Sequence, residues 1–345
     1  MEGTTRVCVT GGSGYIGSWI VKKLLERDYT VHATVRNSGD KSKVGFLKSF
    51  PNAERGLVLF EADLYNPPDF EKAIQGCQYV FHVATPLHHD PNSSKFKDTS
   101  KAAVAGVKSI AESCIRSGTV RRLIYTATVL AASPMKGNAK CFAEAMDESC
   151  WTPLDFSVPD SNYRFMEDYV KSKTRSEREL MKYKGEIEIV SIALGLVGGS
   201  TTRPALPDSL RVLIAQATNS RASYGILRLL EEVMGKVPVV HIEDACEAHI
   251  FCISQQHSIS GRSLCASDYV KTADIAQYIK ESFPEIQIPE EFVEDTGREI
   301  AWGSSKLEEM GFKYKYDLRM ILEDSINCAR MSGDITSNTC NLASN

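Results

Sequence analysis

One glycine-rich turn, set between an apolar run and a helical pattern at the start of the chain, limits this 345-residue sequence more than any other feature. Val7-Cys8-Val9-Thr10 reads as a buried strand and Ile16 to Leu25 as a helix, with Thr10-Gly11-Gly12-Ser13-Gly14-Tyr15-Ile16-Gly17 joining them. Glycines at such a junction permit a tight turn, close approach of the backbone to a pyrophosphate, and close packing of helix on strand. The helix N-terminus adds free N–H groups and a partial positive charge for an anion. The spacing fits two registers, Gly11/Gly14/Gly17 or Gly12/Gly14/Gly17. In isolation an ordinary turn would read the same way; its place at the opening of a βαβ unit is what favours dinucleotide binding.

The rest of the first half repeats that alternation. Thr30 to Val35, Leu57 to Phe60, Tyr79 to Val83, Arg122 to Thr126 and Ile187 to Ile192 read as strands. Helical stretches cover Pro68 to Ile74, Lys101 to Cys114 and about Tyr163 to Tyr183. Strands alternating with helices predict an α/β fold, a doubly wound parallel sheet with helices on both faces. After Gly195 the rhythm changes: Gly198 to Pro204 reads as a loop, and Leu210 to Met234 as mainly helical with a break near Tyr224-Gly225. Val237 to Ile242 reads as a strand returning to the sheet, followed by a helix opened by Glu243 and Asp244. The expected organisation is a nucleotide-binding domain over 5–194 with a returning segment at about 237–268. A smaller, mixed, mainly helical substrate lobe takes 195–236 and 269–330, and a polar, disordered tail takes 331–345.

Composition closes off several functions. A net charge of −4 gives no reason to expect nucleic acid or an anionic membrane as partner. The N-terminus lacks the basic start and apolar stretch of a signal peptide, and no apolar run reaches the ~18–20 residues of a membrane span. A cytoplasmic enzyme with a small-molecule substrate, monomeric or weakly homo-oligomeric, is the expectation. The ten cysteines are scattered, with reduced thiols as the default; Cys141 and Cys150 are either a disulfide or two free thiols. No CxxC pair exists, and His88-His89 has no third ligand in view, so no metal is expected.

Two further features carry chemistry. The second strand ends at Arg36, where a guanidinium suits a ribose 2′-phosphate; Lys41 or Lys43 adds a second cation, against a nearby Asp40. That favours NADPH/NADP+ over NAD. Downstream, Tyr169 and Lys173 lie four residues apart and so on one face of a helix. Carbonyl reduction needs a proton donor at the oxygen, and an ammonium beside a phenol, ordinarily titrating near ~10, favours the phenolate. An exposed surface helix would show the same spacing; the upstream dinucleotide turn tips the reading.

The sequence also resembles the extended short-chain dehydrogenases/reductases. Within them it is similar to the plant branch containing dihydroflavonol reductases, anthocyanidin reductases and HC-toxin reductase. The matching segments include Val7 to Gly12, Ala33 to Arg36, Glu61 to Leu64, Phe81 to Pro86, Asp147 to Leu154, Val240 to Asp244 and Gly311 to Tyr316. The resemblance covers roughly residues 5–330. It implies a Rossmann fold, with Tyr169 as acid/base and Lys173 lowering its pKa and holding the nicotinamide ribose. It also implies that Gly11, Gly14, Tyr15, Ile16 and Gly17 cradle the pyrophosphate, and that Arg36 with Lys43 takes the 2′-phosphate. Asp63 and Leu64 would flank the adenine, and Val83, Ala84 and Thr85 the bridge of the cofactor.

This chain departs from the branch at two points. Thr126-Ala127-Thr128 stands where the branch carries Thr-Ser-Ser, so Thr128 takes the place of the catalytic serine, with Ser133 a weaker candidate. Ala193-Leu194 stands where the branch often has proline near the nicotinamide. Leu87, His88, His89 and Asp90 are expected at the substrate mouth, with Tyr163, Phe165, Met166 and Ile226 to Leu230 as apolar walls or plain core. The implied activity is NADPH-dependent hydride transfer to the carbonyl of a small specialised-metabolite ketone, phenolic, flavonoid-like or polyketide-like. Reduction of a conjugated C=C, double reduction, or NADP binding without redox turnover are the alternatives.

Overall fold

Strands buried on both faces read as continuous apolar runs rather than alternating ones. Val7, Cys8 and Val9, Val31 and Ala33, and Val80 and Phe81 all have no exposed surface. The computed structural model, which describes residues 5–86, 95–137, 141–158, 160–293 and 297–335, pairs these runs in one sheet. In chain order the first elements are β1 (Arg6–Thr10), α1 (Tyr15–Leu25), β2 (Thr30–Val35), α2 (Lys41–Lys48), α3 (Ala53–Gly56) and β3 (Leu57–Glu61). They are followed by α4 (Phe70–Ile74), β4 (Tyr79–His82), α5 (Thr99–Ser117) and β5 (Arg122–Thr128). Three short strands, β6 (Met135–Lys136), β7 (Cys141–Phe142) and β8 (Ala145–Met146), precede α6 (Arg164–Leu180) and β9 (Glu188–Leu194). Then come β10 (Leu196–Gly198), α7 (Asp208–Leu213), α8 (Arg221–Met234), β11 (Val237–His241), α9 (Ile242–Ser254) and β12 (Gly261–Cys265). The chain closes with β13 (Asp268–Val270), α10 (Thr272–Ser282), β14 (Ala301–Trp302), α11 (Lys306–Glu309) and α12 (Leu318–Met331).

The seven-stranded sheet runs β12-β9-β5-β4-β1-β2-β3. Pairing from β3 through β2, β1 and β4 to β5 is parallel. From β1 the chain winds outward through β2 and β3, then returns to the other side of β1 with β4. The strand order therefore reverses between β1 and β4, and in open α/β sheets ligands bind at the carboxyl ends of strands flanking such a switch. This is the doubly wound Rossmann-like α/β fold that the alternation predicts.

The chain divides into two compact units. One comprises residues 1–131, 154–193 and 246–263, and the other 132–153, 194–245 and 264–345. The second unit holds a small sheet, β10-β11-β13, with β10 parallel and β13 antiparallel to β11. It also holds the β8–β14 and β6–β7 pairs.

Several expectations differ from this outcome. β11 does not return to the large sheet; it belongs to the three-stranded one, and β12 is the strand that rejoins beside β9. Every residue of β11 is buried, so its pattern carries no information about which sheet it enters. Residues 132–153, expected within the nucleotide-binding domain, group with the second unit. Leu196–Gly198 is a strand, and the loop begins at Gly199, whose φ is +100°. The helical break lies at 214–220, with Asn219 left-handed at φ 51° and the Ser220 side chain capping α8. Tyr224 and Gly225 stay helical, since one mid-helix glycine costs only about 1 kcal/mol. At the C-terminus α12 reaches Met331 and Ile335 is buried; residues 336–345 of the expected tail lie outside the described residues. No disulfide joins Cys141 and Cys150.

Candidate active site

The glycine turn is held by sterics that a side chain would break. Gly11 has φ +71°, and its carbonyl accepts the Gly14 N–H at 2.9 Å. A Cβ on Gly17 would lie 2.2 Å from that same carbonyl oxygen, and one on Gly12 would lie 2.8 Å from Ala33 Cβ. Both registers seen in the sequence therefore have a physical basis: Gly11, Gly14 and Gly17 shape the turn, and Gly12 lets β1 press against β2. The N-cap of α1 is Gly14, which offers no side-chain cap, and no acidic residue occupies the first turn. The positive end of the helix is left for an anion.

Thr10, at the end of β1, ties this turn to β4. Its hydroxyl oxygen accepts the Val83 and Ala84 N–H groups at 3.0 and 3.1 Å and lies 2.9 Å from His82 Nδ1. With both amides donating to it, the hydroxyl proton goes to His82, which fixes a neutral imidazole accepting at Nδ1. Burial, and after it the nearby Lys173 charge, pushes the His82 pKa down to about 3. Ala84 sits directly against the turn, its Cα 3.0 Å from where a Gly11 Cβ would lie.

Around the β2 and β3 ends the side chains are more exposed. Arg36 makes no ion pair or hydrogen bond among the described residues. Lys43 lies 3.4 Å from Asp40, whose side chain caps α2 by accepting from Ser42 N–H. The hydrogen bond from Ser42 holds the Asp40 carboxyl below the usual range. Asp63 accepts the Tyr65 N–H at 2.9 Å, an Asx turn. Leu64 is buried and packs so close to Gly106 of α5 that a Cβ there would lie 2.6 Å from Leu64 Cδ2.

On α6, Lys173 is 4% exposed, and its ammonium donates to the Thr126 carbonyl at 2.7 Å and the Thr85 hydroxyl at 3.2 Å. It lies 4.4 Å from the centre of the Tyr125 ring. Burial lowers the Lys173 pKa to about 7, with Glu177 acting in the opposite direction. Burial raises the Tyr169 phenol, and the adjacent Thr128 hydroxyl acts against that rise. The Leu130 N–H donates to Thr128 Oγ1 at 3.3 Å, which fixes the threonine rotamer at the end of β5. Among the described residues no hydrogen bond joins Lys173 to Tyr169; the ammonium is turned towards the ends of β4 and β5. Beside it lies a cavity of about 10 Å³, lined in part by His82, Thr85, Tyr125 and Ser176 and large enough for one water.

The structure thus gathers Thr85, Thr128, Tyr169 and Lys173, and joins Val83 and Ala84 to the turn of Gly11 to Gly17 through Thr10. Arg36 follows β2 and Lys43 lies in the first turn of α2, and Asp63 and Leu64 follow β3. Ser133 is committed elsewhere: its hydroxyl donates to the Val233 carbonyl and accepts the Met135 N–H at 3.1 Å. Phe165 is 52% exposed, whereas Met166 is buried. Leu87, His88, His89 and Asp90 lie outside the described residues. Thr10, His82 and Tyr125 were not singled out from the sequence. The available signal was a polar residue inside an apolar parallel strand, which must find a partner once buried.

The sequence pattern of the family described as "NAD dependent epimerase/dehydratase family" matches residues 7–264. A dihydroflavonol 4-reductase of Callistephus chinensis is 35% identical over 331 residues, 95% of this chain and 87% of that protein. A putative anthocyanidin reductase of Ginkgo biloba is 33% identical, covering 96% of each chain. Among solved structures, vestitone reductase from alfalfa (Medicago sativa) superposes with TM-score 0.75 at 31% identity, covering 96% of this chain and 99% of that one. A yeast methylglyoxal/isovaleraldehyde reductase complexed with NADPH shares the fold, with TM-score 0.72 at 19% identity, over 96% of this chain and all of that one. With its switch-point glycine turn and the Tyr169/Lys173 helix, this chain belongs to the NAD dependent epimerase/dehydratase family, the extended short-chain dehydrogenases/reductases, as an oxidoreductase of the dihydroflavonol reductase-like branch.

Proposed function

We propose that this protein is an NADPH-dependent reductase that delivers hydride to the carbonyl of a small plant specialised-metabolite ketone, phenolic, flavonoid-like or polyketide-like. One observation carries the reading: α6 buries Lys173 against the carboxyl ends of β4 and β5 while Tyr169, one turn earlier, lies beside Thr128. The glycine turn fits a dinucleotide, because the space a Gly17 side chain would occupy is closed by backbone and the α1 N-terminus is uncapped. When bound, the cofactor supplies the hydride.

Every other part belongs to the chain. The turn from Gly11 to Gly17, with Tyr15 and Ile16, holds the pyrophosphate; Arg36 and Lys43 take the 2′-phosphate; Asp63 and Leu64 flank the adenine; Val83, Ala84 and Thr85 line the bridge. Tyr169 gives its phenolic proton to the substrate oxygen, Thr128 donates a hydrogen bond to the same oxygen, and Lys173 holds the ribose hydroxyls. The first unit carries cofactor binding, and substrate recognition falls to the second. No disulfide joins the described cysteines, which fits the reducing cytoplasm.

The test is a panel of flavonoid, isoflavonoid and polyketide ketones, and of matching enones, incubated with NADPH and analysed for products. Alcohols from ketones support the proposal, and saturated ketones from enones replace it with C=C reduction. Tyr169→Phe should lower kcat by about 10²–10⁴ with cofactor affinity kept. Turnover unchanged by that substitution refutes the role given to the phenol.

A further inference from the structure

Glu177 is fully buried one helical turn beyond Lys173, so Tyr169, Lys173 and Glu177 form a single stripe on α6. Its carboxylate is anchored with unusual completeness. Arg262 of β12, itself 6% exposed, donates through Nε to Oε1 at 2.8 Å and through its Nη2 to Oε2 at 2.7 Å. The Ser191 hydroxyl of β9, with no exposed surface, donates to Oε1 at 2.6 Å.

Burying such a pair is expensive, and well-packed apolar residues of similar volume are often as stabilising or more so. Stability alone is therefore a weak reason for an ion pair here. The surroundings of Lys173 supply a stronger one. Its ammonium meets the Tyr125 ring and the Thr126 carbonyl of β5, and the cavity beside it is lined by a neutral His82 from β4, the apolar Ala103 and Val107 from α5, and Ser176 from its own helix. Among the described residues, the charge that acts on Lys173 is that of Glu177, and the same charge is felt at Tyr125.

We infer that Glu177 is a positioning residue: its carboxylate, fixed by Arg262 and Ser191, keeps Lys173 an ammonium at the ends of β4 and β5. The inference rests on the reading that Lys173 binds the nicotinamide ribose. It makes β9 and β12 part of the machinery, through the Ser191 and Arg262 side chains. It also predicts opposite effects from removing the two partners. Glu177→Gln removes the counter-charge and leaves Arg262 a buried cation, which disfavours the Lys173 ammonium. Arg262→Gln leaves the carboxylate unshielded, which favours it.

The experiment uses the full chain labelled with ¹³C,¹⁵N-lysine, without cofactor, and follows the Lys173 side-chain titration by NMR, the signal being identified by its loss in Lys173→Arg. At an effective dielectric near ~20, one charge ~6–10 Å away shifts a titration by on the order of one to two pH units. Glu177→Gln should move the Lys173 midpoint down by about one unit, and Arg262→Gln should move it up. Glu177→Asp, which keeps the charge but not the bidentate geometry, should restore most of the difference. NADP+ affinity, measured by fluorescence at equilibrium, should fall about tenfold in Glu177→Gln at pH 8 and stay within about twofold at pH 6. Midpoints that do not move, or affinity lost equally at every pH in both variants, overturn the inference. If Glu177→Gln does not fold, the upward shift in Arg262→Gln decides the question. If Lys173→Met binds NADP+ as well as the wild type, the underlying role of Lys173 fails instead.

Discussion

Replacing Thr10 with valine exchanges one hydroxyl for a methyl group of nearly the same shape. Thr10 itself has no exposed surface. The change strips the acceptor from the Val83 and Ala84 amides, bonded at 3.0 and 3.1 Å, and the donor from His82 Nδ1 at 2.9 Å. A buried polar group left without a partner costs about 1–3 kcal/mol, and the amides, being only partly buried, fall at the low end. Burial of the added methyl returns about 1 kcal/mol. The net expectation is a loss of about 2–4 kcal/mol. Thr10→Ser keeps all three hydrogen bonds, loses only the methyl, and should cost about 1 kcal/mol.

Urea unfolding followed by circular dichroism gives the two free energies, and hydrogen exchange at Val83 and Ala84 reports whether the end of β4 has loosened. NADP+ affinity should fall in the valine variant and not in the serine one. Valine as stable as wild type, with those amides still protected, would refute the claim that this hydroxyl joins the glycine turn to β4.

Other outcomes follow from the same geometry. Gly17→Ala puts a methyl 2.2 Å from the Gly11 carbonyl oxygen; relieving that contact should cost about 1–3 kcal/mol of NADP+ binding, a ~10–100-fold loss by titration calorimetry. Arg36→Glu should reverse the preference for NADPH over NADH, read as the ratio of kcat/KM values, because a carboxylate repels the 2′-phosphate and accepts from a ribose hydroxyl. Burial holds the Lys173 pKa down to about 7, whereas a lysine in the unfolded chain titrates near ~10.4, so between those values the unfolded chain holds more protons. Its contribution therefore makes the cofactor-free protein more stable as pH rises through that window, visible in urea midpoints. Binding of NADP+ needs the ammonium and should weaken in the same window, by about tenfold per pH unit once Lys173 is mostly neutral.

Much of the fold was legible because its signals are local. The break of glycines after Val7 to Thr10, the buried runs at Thr30 to Val35 and Arg122 to Thr126, and the Tyr169/Lys173 spacing each lie within a dozen residues. Each has a physical period or a conformational demand behind it. Val237 to His241 was legible as a strand and not as a member of any sheet, since full burial looks the same in both sheets. The sequence suggests a helical break near Tyr224-Gly225, whereas the chain breaks at 214–220, where left-handed Asn219 precedes a serine cap.

The candidate site divides in the same way. Glycines in a strand-to-helix turn, a cation at the end of the second strand, and a phenol and an ammonium on one helical face are properties of neighbouring residues, and the linear chain specifies them. Thr10 with His82 and Ala84, Lys173 with Thr85 and Thr126, and Glu177 with Arg262 and Ser191 are partnerships between distant segments. They exist because the sheet, with α6 packed on it, brings together strands far apart in sequence, and because polar groups buried there must satisfy one another. Residue types announce which groups will need partners; only packing in three dimensions chooses the partners.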